Sequence, residues 1–141
     1  MVSYPNFIKG MAITKKAAAL ANYEVGMITV QQANAICQAC DELIAGQHHD
    51  QFPIDMIQGG AGTSTNMCAN EVIANRALEI MGHQRGQYEF CSPNDVVNAS
   101  QSTNDAYPCA IHMAMFLEHE EFLPHLTQMI DALEKKAKET S

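Results

Sequence analysis

Two short stretches hold the residue types best suited to chemistry. Gly59-Gly60-Ala61-Gly62-Thr63-Ser64-Thr65-Asn66-Met67 and Ser100-Gln101-Ser102-Thr103-Asn104-Asp105 each gather small, hydroxyl and amide side chains just ahead of a helix-like run. The first turn of a helix presents N–H groups without intrahelical partners, together with the positive end of the macrodipole, so it attracts an anion. Threonine, serine and asparagine add neutral donors around that anion and no counter-charge. The combination suits a carboxylate whose charge shifts during a reaction.

Other phosphate and nucleotide motifs fit poorly. Neither stretch has the Lys-Ser/Thr pair or the preceding strand of a P-loop. Gly60-x-Gly62 also lacks the third glycine and the strand of a dinucleotide-binding turn. In the second stretch Ser102-x-x-Asp105 reads as a capping box, yet that register buries Pro108 inside the helix. A cap at Asn104 or Asp105 puts Pro108 in the first turn and leaves the Ser102 and Thr103 hydroxyls facing a ligand. On spacing alone, a plain capping and turning role for these residues stays open.

Cysteines and histidines compete as reactive groups. Cys37-x-x-Cys40 lies within a helical pattern, with no second pair for a zinc site and no strand before it for a redox motif. Cys68, Cys91 and Cys109 are scattered, and an odd count of five suits a reducing compartment. His48 and His49 fall in a polar connection, and His83 follows a helix stop at Gly82. His112 and His119 stand two helical turns apart, too far to share an ion, and His125 lies beyond them. No metal is expected.

The elements that must position the two stretches are helical. An Ala-rich run over 11–25 ends at Gly26, and Thr29-x-x-Gln32 is a capping box opening a helix over 29–45. A third helix is predicted over 67–81, with Ala74, Leu78 and Met81 on one face and Gly82 as its stop. A fourth covers 106–139, kinked or split near Pro124. No alternating strand pattern of useful length occurs. The polar connections over 47–66 and 82–104 are each about twenty residues long, well above the usual length, and each ends in a dense cluster, which marks them as functional.

Length and charge narrow the class. A chain of 141 residues can close a core, and its 47% hydrophobic content is ordinary for a globular domain. Net charge of −8 disfavours nucleic acid, while Lys135, Lys136 and Lys138 suit the last turn of a solvated helix. No window approaches a membrane span and no export signal is visible, so a cytoplasmic protein is expected.

The combined motifs resemble those of the aspartase/fumarase superfamily. The matching runs are Gly59-Gly60-Ala61-Gly62-Thr63-Ser64-x-Asn66-Met67-x-x-Asn70-Glu71-Val72, Pro93-Asn94-Asp95-x-Val97-Asn98 and Gln101-Ser102-Thr103-Asn104-Asp105-Ala106-Tyr107-Pro108. Asp50-Gln51-Phe52-Pro53 and Met81-Gly82-His83-Gln84 resemble the aspartate ammonia-lyase branch. Class II fumarases usually carry Gln at the position of Ser64, Ser at that of Thr103 and Thr-Phe at that of Ala106-Tyr107. Val96 stands where aspartases often have His, which weakens any claim for a secondary anion site on that loop.

The resemblance implies an all-α fold, with an amino-terminal domain over 1–104 and the start of a long central helix bundle over 105–141. It implies reversible elimination of ammonia from L-aspartate to give fumarate, without metal or organic cofactor. Thr63, Ser102 and Thr103 would bind substrate carboxylate, and Asn104 would lie near the departing amino group. The family's catalytic base is a serine on a Gly-Ser-Ser-x-Met-Pro-x-Lys-x-Asn-Pro loop, and no such run occurs in these residues. The base serine is therefore expected beyond Ser141, and no catalytic residue is assigned within the chain. The chain resembles an amino-terminal fragment of a homotetrameric enzyme in which three subunits build each site. The alternatives are the class II fumarate hydratase branch and a non-catalytic helical product of the same fold.

Overall fold

Helix formation begins at Pro5, six residues earlier than the alanine run suggests, because proline at the first helical position needs no hydrogen-bond donor. The computed structural model describes residues 1–140, and none of them is in a strand. Ser141, the last residue of the expected bundle segment and the point beyond which the base serine is expected, lies outside the described residues. Four helices carry the described chain: α1 (Pro5–Glu24), α2 (Val30–Ile44), α3 (Thr63–Ile80) and α4 (Thr103–Thr140). A 3-10 turn at His49–Gln51 interrupts the α2–α3 connection, and a π-helical turn at Pro93–Val97 interrupts the α3–α4 connection.

Helix α1 lies centrally, against α2 on one side and α4 on the other, and α2 in turn packs on α3. Ile8, Met11, Ala12 and Ala19 bury one stripe of α1, meeting Ile36, Ala39, Cys40 and Leu43 from α2 and Ile73, Ala77 and Leu78 from α3. The crossing of α1 with α4 needs a glycine. A Cβ at Gly10 would collide with the Ala110 carbonyl oxygen and lie 3.2 Å from the Ala114 nitrogen.

The predicted capping box of α2 is present. Gln32 N donates to Thr29 Oγ1 at 3.2 Å, and Thr29 N donates to Gln32 Oε1 at 2.9 Å. Helix α3 starts four residues before the expected position, at Thr63. Helix α4 corrects the expected cap at Asn104 or Asp105: it starts at Thr103, and the Ser102 carbonyl accepts from the N–H groups of Asp105 and Ala106 at 3.1 and 3.0 Å. Pro108 therefore sits inside the helix. The bond it removes would have used the Asn104 carbonyl, and Asn104 is exposed, so water can serve that oxygen.

Pro124 does not split the last element, which runs unbroken to Thr140. Beyond Ala114 no described residue of α4 is buried, and Met115, Phe116, Phe122, Leu123, Met129, Ile130 and Leu133 are exposed. The amino-terminal third of α4 belongs to the core; the remainder projects from it.

Candidate functional site

The first cluster folds into a sharp turn before α3. Gly60, Ala61 and Gly62 take successive left-handed conformations, with φ of 82°, 52° and 85°. Alanine in that region is strained, which argues that the turn is held from outside. Gly62 shows by what: a Cβ there would lie 2.5 Å from ring carbons of Tyr107. The first turn of α3 therefore rests directly on the face of an α4 side chain. Tyr107 is held in place by Phe7 of α1 in an edge-on contact, 5.5 Å between centroids.

Among the described residues, no side chain caps α3. Thr63 Oγ1 donates to the Gly60 carbonyl at 2.8 Å, and Thr63 N donates to the same oxygen at 3.1 Å. At α4, Ser102 Oγ accepts from Asn104 N at 3.3 Å, which leaves its own proton to donate elsewhere. Ser102 and Asn104 are exposed, and Thr103 is half-buried between them.

Behind both helix starts lies a buried polar knot. Asn98 Oδ1 accepts three hydrogen bonds, from Lys15 Nζ at 3.0 Å and from the Nδ2 groups of Asn66 and Asn70 at 3.1 Å each. Asn66 Nδ2 also donates to Thr103 Oγ1 at 3.0 Å, which ties the start of α3 to the start of α4. Lys15 Nζ donates further to Gln101 Oε1 at 2.9 Å, and Gln101 Nε2 donates to the carbonyls of Val97 and Ala99. Lys15, Asn66 and Asn70 are all 0% exposed. Burial pulls the Lys15 ammonium down to about 8, opposed in part by the Cys40 thiol. Asn66 Oδ1 and Asn70 Oδ1 have no hydrogen-bond partner among the described residues, a costly state for buried acceptors.

Of the four candidate residues, Ser102, Thr103 and Asn104 are consecutive, and Thr103 is bonded into the knot. Thr63 lies one helical turn before Asn66, on the adjoining helix start, with no hydrogen bond to the other three among the described residues. Sequence reasoning missed Lys15. The signal was there: Ile8, Met11, Ala12, Lys15 and Ala19 share helical spacing, and a lysine within an apolar stripe must find a buried partner.

A cleft of about 530 Å3 lies elsewhere, bounded by Ser64, Cys68, Glu71, Val72 and Arg76 among others, and it takes in none of the four candidate residues. Its rim is an ion cluster in which Arg76 joins Glu42 to Glu79, and Arg85 also meets Glu79. Among the remaining tempting groups, His83 stacks on Phe90 at 3.9 Å, and His112, His119 and His125 are exposed. Cys40 is buried on α2, and burial pushes its thiol well above the ordinary range.

The chain is similar to known proteins in both sequence and fold. A family described as "Lyase" matches residues 3–141. Aspartate ammonia-lyase of Helicobacter pylori is 58% identical over 139 residues, covering 99% of this chain and 30% of that protein. Its Escherichia coli counterpart is 50% identical, covering 96% of this chain and 28% of that protein. The chain thus spans about 30% of the length of the curated relatives it matches. Among solved structures, a fumarate lyase:delta crystallin from Brucella melitensis superposes with a TM-score of 0.95 at 47% identity, over 99% of this chain and 32% of that one. A class II fumarase from Schistosoma mansoni superposes with a TM-score of 0.74 at 38% identity, over 78% of this chain and 23% of that one. With the match running almost from end to end, and both helix-start clusters inside it, the chain belongs to the lyase family.

Proposed function

We propose that the two helix starts form the carboxylate-binding part of an active site that eliminates ammonia from L-aspartate to give fumarate. The single observation that carries this is the Asn66–Thr103 bond, because it joins two separate clusters of donors into one locus. Thr63, Ser102 and Thr103 bind substrate carboxylate, and Asn104 lies beside the amino group that leaves. In the reaction a base takes a proton from the carbon next to the β-carboxylate, the electrons pass into that carboxylate as an aci-carboxylate dianion, and their return expels ammonia. Preorganised donors around the oxygens stabilise the growing charge. The base is a serine supplied by a part of the lyase beyond Ser141, and the whole enzyme is a cytoplasmic homotetramer. Residues 1–104 form its amino-terminal domain, and 105–141 open its central bundle.

The names of the aspartate ammonia-lyase relatives support aspartate as substrate, and 50–58% identity supports the branch. Thr63 must turn to serve a carboxylate, since its hydroxyl proton is engaged by the Gly60 carbonyl. Thr63→Val or Asn104→Ala in the whole lyase should lower turnover about 10²–10³-fold, the scale of losing one oxyanion donor. Near-normal aspartate deamination by either variant defeats the assignment. Fumarate consumption, followed by absorbance, should require ammonium; consumption without ammonium, yielding malate, favours the fumarase branch instead.

A further inference from the structure

Lys15 sits in a setting that structure alone does not repay. Its ammonium is fully buried in the middle of α1, yet it donates only to the neutral oxygens of Asn98 and Gln101. No carboxylate among the described residues pairs with it, whereas its neighbour Lys16 meets Asp41 at the surface. A buried cation without a counter-ion is disfavoured, and it either gives up its proton more readily, as burial makes Lys15 do, or is offset by an anion bound nearby.

The direction of the hydrogen bonds indicates where that anion goes. Asn98 Oδ1 gathers protons from Lys15, Asn66 and Asn70, so the amide of Asn66 is turned with its donors toward Asn98 and Thr103. Thr103 Oγ1, accepting from Asn66, keeps its own proton to donate. Ser102 Oγ, accepting from the Asn104 N–H, is in the same position. The chain of bonds therefore runs from a buried positive charge through Asn98 and Asn66 to the Thr103 hydroxyl, which has a proton to donate, while the Ser102 hydroxyl adjoins it in sequence without joining the chain.

We propose that Lys15 is the positioning cation of the carboxylate site: it locks the 98–101 segment and supplies, from behind, the positive charge that the neutral donors lack. The inference rests on the carboxylate-binding reading of Ser102, Thr103 and Asn104. It makes the ligand a dicarboxylate dianion, and it assigns Lys15 no contact with the substrate. The positive potential reaches the site through low-dielectric protein, where it is screened less than at a surface.

The test measures binding of succinate, an unreactive dicarboxylate, and of butyrate, its monocarboxylate counterpart, to the whole lyase. Lys15→Met, which keeps the length and removes the charge, should weaken succinate about tenfold or more and butyrate much less. Lys15→Arg should recover part of the succinate binding. A purely structural lysine would weaken both ligands equally, and that result overturns the proposal. The wild-type protein supplies a reading that survives if Lys15→Met fails to fold. Succinate is a dianion throughout the neutral and alkaline range, so its binding should fall as pH rises through about 8, where Lys15 loses its proton. Cys40 on α2 is the one titratable group among the described residues that acts electrostatically on Lys15, and its thiol stays protonated there; the 98–101 segment meets Lys15 with the amide oxygens of Asn98 and Gln101, and α3 adds the amides of Asn66 and Asn70 around the same Asn98 oxygen. Flat succinate binding across that range overturns the proposal as well. Thr103→Val separates the two layers: if it weakens succinate while Lys15→Met does not, only the role of Lys15 falls. If neither variant matters, the carboxylate site itself is misplaced.

Discussion

A hydroxyl can be a donor or an acceptor, and its neighbours decide which. Thr103 and Ser102 both accept from behind, so both are set to donate forward. Thr63 is set the other way, donating back to Gly60. Its residue type was legible in the sequence; its hydrogen-bond direction was not, because that depends on a carbonyl presented by a left-handed turn. Charge follows a similar rule away from the site. Arg76 holds the Glu42 carboxyl at about 2, helped by His48 and Gln38 and opposed by partial burial. Because the folded value lies below the unfolded one, the stabilisation is fully present above about pH 4.5 and disappears as pH falls toward 2. After allowance for solvent at the partly exposed Arg76, a contribution of about 1–2 kcal/mol is expected. Arg76→Leu should therefore lower the melting temperature at pH 6 and shrink that difference at pH 3. An equal loss at both pH values would show that Arg76 acts by packing instead.

The helices were readable where a local signal stands alone and misplaced where a distant contact decides. The box at Thr29 and Gln32 involves only residues three apart, and it forms as the sequence indicates. The start of α1 was missed because Gly10 interrupts the propensity of its region, yet Gly10 is required by α4, a hundred residues away. The start of α4 was misread for a related reason. Pro108 argues locally for a later cap, but the adopted register buries Ala106 and Ala110 and presents Tyr107 to Gly62. Packing outweighs one missing backbone bond at an exposed position. The knot was the least legible feature, since Lys15, Asn66 and Asn98 lie in three distant segments that only the tertiary fold brings together. Gly10→Ala isolates the close approach. A methyl there meets backbone rather than a yielding side chain, so overpacking should destabilise by about 1–3 kcal/mol, or more. Denaturant unfolding measures this, and an unchanged midpoint would mean that α1 and α4 separate easily.

Seen as a whole, the molecule is a small helical core from which one long helix projects with its apolar residues uncovered. Phe116, Phe122, Ile130 and Leu133 are each close to half exposed or more, along a helix with no buried residue after Ala114 among those described. Such a face normally lies against other helices. None of the described helices is long and apolar enough to cross a membrane. The two helix starts share this incompleteness, because Ser102, Asn104 and Thr63 all face solvent. In water their donors are screened and already hydrated, so they stabilise a developing dianion far less than in an enclosed site. Proton abstraction also needs a positioned base. The carboxylates next to the two clusters in sequence are poor candidates: Asp105 lies in the first turn of α4, and Glu71 lines the cleft that takes in none of the four candidate residues. The 141-residue chain on its own should therefore release no ammonia from L-aspartate, while retaining at most weak carboxylate binding. Ammonia release that scales with the concentration of the purified chain, and disappears in Thr63→Val, would refute this and require a base among these residues.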